Sequence, residues 1–145
     1  RRLAELGRQW NLALSLHATT EEARARLIPQ AYRYPLEEIL QACIDYFEKT
    51  SRIVTLEYAL IAGRNDTDAE MRQLAGIARR LRAKVNLIPY NPTTDAYRPP
   101  EDAGVRHAVA LLEKSGVTVT VRREKGAEIQ AACGQLRRQV QETRK

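Results

Sequence analysis

Two apolar periods take turns along the chain, and their alternation predicts the fold. Leu36, Ile39, Leu40, Cys43, Ile44 and Phe47 fall on one helical stripe, with Pro35 where a first turn tolerates a missing N–H. Met71, Leu74, Ala75, Ala78 and Leu81 repeat that pattern behind Thr67 and Glu70, which have capping-box spacing. Val105, Ala108, Val109 and Leu112 predict a further helix, stopped by Gly116. Thr19, Thr20, Glu21 and Glu22 read as a capping box opening a shorter helix that ends near Pro29. Between these helices the stretches 11–16, 53–60, 85–88 and 117–121 read as strands. A polar loop is expected over 89–100 and a last helix over 134–145.

Strands separated by helical crossovers imply parallel pairing, hence an α/β fold. The strands nevertheless alternate in polarity, unlike parallel strands covered by helices on both faces. Leu12, Leu14 and Leu16 oppose Asn11, Ala13, Ser15 and His17; Val54, Leu56, Tyr58 and Leu60 oppose Ile53, Thr55, Glu57 and Ala59. Val117, Val119 and Val121 oppose Thr118, Thr120 and Arg122. Burying Glu57 and Arg122 under helices without partners costs several kcal/mol each, roughly. The cheaper arrangement is a curved sheet, a partial (β/α) barrel of about four parallel strands with covering helices. Its polar face lines a lumen, and its site lies at the C-terminal ends of the strands. Four strands do not close a barrel, and their open edges invite a neighbouring chain or a dimer.

Composition narrows the class. The 145 residues are 43% hydrophobic and 29% charged, as in one ordinary globular domain spanning 1–145. No apolar run is long enough for a transmembrane helix, and no secretory signal pattern is present, so a cytoplasmic protein without a membrane partner is expected. Two cysteines, Cys43 and Cys133, make neither a disulfide framework nor a four-thiolate metal site. The first residue is Arg1 and the single methionine is Met71, so the chain reads as part of a longer protein. The net charge is +6. Much of the excess lies after residue 120, where seven basic residues, Arg137 and Arg138 among them, face three glutamates. Such a segment suits a polyanion such as RNA, or is simply a solvated basic tail.

Candidate chemistry follows from position. Ser15 and His17 share a strand face at the end of the first strand, which fits ligand hydrogen bonding or nucleophilic catalysis; no nucleophile-elbow glycines accompany them. A purely structural His17, capping the adjacent helix, fits the same pattern. Asn91 follows the third strand in Pro89-Tyr90-Asn91-Pro92, where its amide suits a nucleoside or ribose hydroxyl, or makes an Asx-turn. Cys43 lies within a helical stripe and reads as core. Cys133, in Ala131-Ala132-Cys133-Gly134-Gln135-Leu136, stands at an expected helix start near arginines, which favours a thiolate; tight packing of small residues is the other reading.

Residues 11–18 (Asn-Leu-Ala-Leu-Ser-Leu-His-Ala), 85–92 (Val-Asn-Leu-Ile-Pro-Tyr-Asn-Pro), 119–123 (Val-Thr-Val-Arg-Arg) and 131–136 (Ala-Ala-Cys-Gly-Gln-Leu) occur in that order. Together they resemble the C-terminal part of the dual-specificity rRNA/tRNA adenine C2-methyltransferases, radical-SAM enzymes of the RlmN/Cfr type. The resemblance implies a partial (β/α) barrel. It implies that Ser15, Leu16, His17 and Asn91 contact S-adenosylmethionine, and that Cys133 is the cysteine that becomes S-methylated and carries the methyl group. The implied substrates are 23S rRNA and tRNA. The implied second cofactor is a [4Fe–4S] cluster held by the N-terminal part of the same protein. The cluster's CxxxCxxC motif is absent from this chain, so no metal ligands are expected here and the chain alone is expected to be inactive. Arg137 and Arg138 depart from the small residue and glycine frequent in that family. The competing readings are a non-catalytic nucleotide- or RNA-binding module, and a half-barrel from an unrelated metabolic enzyme.

Overall fold

A computed structural model describes residues 2–28, 31–92 and 96–122. Cys133, the basic tail and the helix expected over 134–145 lie outside the described residues.

Helix α1 (Arg2–Glu5) precedes strand β1 (Ala13–Ser15), helix α2 (Glu21–Leu27) and a 3₁₀ turn (Ala31–Arg33). Helix α3 (Leu36–Thr50), strand β2 (Thr55–Leu60), helix α4 (Asp68–Arg80), strand β3 (Lys84–Pro89), helix α5 (Asp102–Lys114) and strand β4 (Val119–Val121) follow. The four strands form one parallel sheet in the order β1-β2-β3-β4. This is the α/β architecture that the alternating periods predict. The edge strands are shorter than the sequence pattern: only Ala13–Ser15 of 11–16 and Val119–Val121 of 117–121 pair in the ladder. An edge strand has one neighbour, so pairing runs out before the polarity pattern does.

One face of the sheet is the core. Leu16, Val54, Leu56, Tyr58, Leu60, Val85 and Leu87 are fully buried, packed with Leu40, Cys43 and Tyr46 of α3, Met71, Leu74 and Ala78 of α4, and Val105, Ala108 and Leu112 of α5. Burial along β2 alternates residue by residue, as the sequence pattern predicts. The α3 stripe is rotated by a fraction of a turn from the sequence reading: Tyr46 is buried and Phe47 only half-buried. The Tyr46 hydroxyl explains the difference, because it donates to the Trp10 carbonyl at 2.7 Å and satisfies its polar end while the ring is buried.

The helix starts are closed in different ways. Thr67 and Glu70 form the expected capping box of α4. At α2 the N-cap is Thr20, whose hydroxyl accepts from the Ala23 N–H at 3.2 Å. Glu21 serves a different helix: its carboxylate accepts from the Leu36 N–H at 2.6 Å, at the start of α3. Pro35 occupies the N-cap there and has no side-chain acceptor to offer, so Glu21 satisfies one of the first-turn N–H groups.

Candidate functional site

The ladder register stacks polar side chains into rows across the open face. Ser15 pairs with Glu57, Glu57 with Asn86, and Asn86 with Thr120. Since side chains alternate along each strand, these four share the face opposite the core. The Thr120 hydroxyl donates to the Asn86 side-chain oxygen at 3.1 Å, linking β4 to β3. Thr55 and Lys84 make the neighbouring row, one step toward the strands' N-terminal ends. Half-buried Glu57 and Asn86 on the inner strands give this face its polar character. In sequence Glu57 and Thr120 stand on the polar side of alternating strands and Asn86 lies within the stretch 85–92; the register is what joins them into one row.

At the C-terminal end of β1 the chain turns sharply. The Leu16 N–H donates to the Glu57 carbonyl at 2.9 Å, and the Leu16 side chain is fully buried in the core. His17 takes φ 58°, the left-handed region that residues with a Cβ enter at a cost. Its ring does not cap α2. Instead Nδ1 accepts from the Ala59 N–H of β2 at 3.0 Å. In a neutral imidazole one nitrogen accepts and the other donates, so this bond fixes the Nε2–H tautomer. Burial pushes the His17 pKa down from its ordinary value; nearby Glu57 opposes the shift and nearby Arg24 adds to it. The ring is therefore a neutral hydrogen-bond donor at neutral pH.

Asn65 closes the same corner. It is 1% exposed, and its amide nitrogen donates to the carbonyls of His17 at 2.9 Å and Ala59 at 2.6 Å. Its side-chain oxygen accepts from the Ile61 N–H at 2.8 Å. The Tyr58 hydroxyl donates to its backbone carbonyl at 2.9 Å. In sequence Asn65 reads only as a turn residue beside Asp66, and no local signal marks it as a partner of His17.

The loop after β3 folds back on the loop after β2. The Tyr90 N–H donates to the Leu60 carbonyl at 2.9 Å, and the Ala62 N–H to the Arg98 carbonyl at 3.1 Å. Tyr90 and Tyr97 meet edge to face with ring centres 5.8 Å apart, and the Arg64 guanidinium lies 5.7 Å from the Tyr97 ring centre. Asn91 is exposed on this loop. Ser15, His17 and Asn91 thus gather at one end of the sheet, as the barrel reading requires. One strand, β2, separates His17 from the β3 loop, so a molecule touching both spans two strand spacings, about 10 Å.

A hydroxyl, an imidazole N–H and an amide at this end of the sheet offer hydrogen-bond donors and acceptors to a small polar ligand. Arg24 is buried with Nε and Nη1 lacking partners among the described residues, so it has unmet capacity for an anionic group near His17. No group of three or more metal-binding side chains occurs among the described residues, so an iron–sulfur cluster finds no ligand set there. Cys43 is buried in the core, where desolvation pushes its thiol pKa up, and it behaves as a small apolar residue. No helix among the described residues is long and apolar enough to cross a membrane.

No family model matches the chain. Individual relatives do. The chain is 52% identical over 143 residues to a probable dual-specificity RNA methyltransferase RlmN of Symbiobacterium thermophilum, which covers 97% of the chain and 38% of that relative. It is 46% identical to the ribosomal RNA large subunit methyltransferase N of Nitrosopumilus maritimus, over 96% of the chain and 40% of the relative. The chain is homologous to a segment of RlmN-type RNA methyltransferases. It spans about two fifths of the length of these relatives. Among solved structures, a radical SAM methyltransferase from Sphaerobacter thermophilus superposes with a TM-score of 0.84 at 40% identity, over 92% of this chain and 40% of that one. A domain of a pyruvate-formate lyase-activating enzyme from Bacteroides vulgatus superposes with a TM-score of 0.68 at 17% identity, a likeness of fold alone.

Proposed function

We propose that the protein carrying this chain is a radical-SAM methyltransferase that methylates C2 of an adenine in 23S rRNA and tRNA, acting in the cytoplasm. The chain supplies the later half of the catalytic barrel, and the N-terminal part of the same protein supplies the rest. The observation that carries this reading is the position of Ser15-Leu16-His17 at the mouth of the polar face, in a chain similar to RlmN proteins along nearly its whole length.

S-adenosylmethionine bound at the mouth supplies the methyl group and, together with a [4Fe–4S] cluster held outside this chain, the radical chemistry that an unreactive C2 carbon demands. Ser15 offers a hydroxyl on the polar row. His17 offers its Nε2–H, and the Nδ1 bond to Ala59 keeps the ring from turning. Leu16 contributes through its backbone, because its side chain is committed to the core. Asn91 offers an amide from the opposite side of β2. Cys133 is the residue we assign to carry the methyl group on its sulfur, and Arg137 and Arg138 attract the RNA backbone.

The test is intact-mass and peptide analysis of the full-length protein purified with its cluster. The reading expects Cys133 one methyl group heavier than unmodified cysteine, and no methylated adenine from Cys133→Ala. An unmodified Cys133, together with full activity in Cys133→Ala, would leave a non-catalytic RNA-binding module as the better description. RNA binding that does not weaken with salt would remove the role given to Arg137 and Arg138.

A further inference from the structure

We propose that Asn65 is the positioning residue of the mouth: it fixes the turn at His17 against β2 and thereby sets which ring nitrogen His17 presents to the cofactor. The proposal deepens the cofactor-binding reading and rests on it for its purpose, though not for its geometry.

A primary amide has two N–H donors and one oxygen, and at Asn65 each is engaged with backbone. The donors hold the carbonyls of His17 and Ala59, and the oxygen holds the Ile61 N–H. The first bond reaches 48 residues back along the chain, joining the loop after β2 to the end of β1. The second holds the carbonyl of Ala59, the residue whose N–H, one peptide unit earlier, donates to His17 Nδ1. Both sides of the histidine are therefore tied to one buried side chain: its backbone directly, its ring through Ala59. A glycine would adopt φ 58° at position 17 with no steric cost. The chain has a histidine there and braces it with a buried amide, which makes sense if the imidazole itself is needed at that place. Burial favours the neutral ring, and the charges of Glu57 and Arg24 act on its protonation in opposite directions.

The experiment uses the full-length protein with Asn65→Ala and Asn65→Ser, the second retaining a small polar group should the first fold poorly. Nitrogen NMR of labelled histidine reads the His17 tautomer, and calorimetry reads binding of S-adenosylhomocysteine. The wild-type signals should show Nδ1 as acceptor and Nε2 protonated. In both variants the tautomers should mix, and affinity should fall roughly tenfold or more, the scale of a lost buried hydrogen bond. Leu112→Ala, a core truncation far along the chain, should lower the melting temperature yet leave both readouts unchanged. Folded variants with unaltered His17 signals would overturn the proposal, even if affinity fell. If wild-type protein does not bind S-adenosylhomocysteine, the cofactor reading fails on its own, and the His17 signals still decide whether Asn65 sets the ring.

Discussion

Leu56 and Glu57 are consecutive residues of one strand, and they sit in opposite environments. Leu56 is fully buried in the core between sheet and helices; Glu57 is half-buried in a polar row whose neighbours are Ser15 and Asn86. The helix-side face is held by non-directional burial of apolar area, spread over many residues. The mouth-side corner is held by a few directional bonds that converge on His17 and Asn65. The first kind of order resists loss of any one contact only in proportion to area. The second depends on single atoms.

The two faces should therefore fail differently. Leu56→Ala should cost about 2–5 kcal/mol in urea unfolding, by lost transfer energy and a cavity between sheet and helices. A cost below about 1 kcal/mol would show that the core relaxes around it. Asn65→Ala should cost roughly 2–4 kcal/mol, because it strands the Ile61 N–H and two carbonyls in a buried corner. A smaller change comes from pH. The folded-state pKa of His17 lies below its ordinary value, so the unfolded chain binds the proton more readily. Stability should then be unaffected by this group above about pH 6.5 and decline as pH falls below it, and His17→Gln should flatten that slope. A steeper slope in the variant would contradict the neutral ring. Least of all, Glu57→Gln should change stability by about 0.5 kcal/mol or less, since its carboxylate is half-exposed. It should nevertheless push the His17 pKa further down in an NMR titration, because Glu57 is the charge that favours the imidazolium. An upward shift would mean that the polar row does not reach His17.

The same contrast explains what the sequence made legible. Periods of two and 3.6 residues encode which side of each element is apolar, so the parallel sheet, the α4 capping box and the buried face of β2 could be read directly. The alternation at Glu57 and Thr120 likewise disclosed a polar face. Directional bonds between distant segments leave no such period. Asn65 beside Asp66 looks like any turn, and His17 looks like a ligand, a nucleophile or a cap until Ala59 is seen to hold its ring. Glu21 capping α3 rather than its own helix is a further case, set by the approach of two helix ends 15 residues apart in sequence. Ser15 and Asn91 fall at one end of the sheet by strand order alone, a property of topology and not of side-chain contacts. Cys133 stands out by its local sequence and lies outside the described residues.

If the proposed function holds, a nucleoside ligand should settle on the mouth-side corner and leave the helix-side face untouched. Hydrogen exchange of the full-length protein with and without S-adenosylhomocysteine separates the two faces. Protection should rise over residues 15–18 and 59–65 and stay level over 36–50. Protection confined to 36–50, or no change around His17, would contradict that placement.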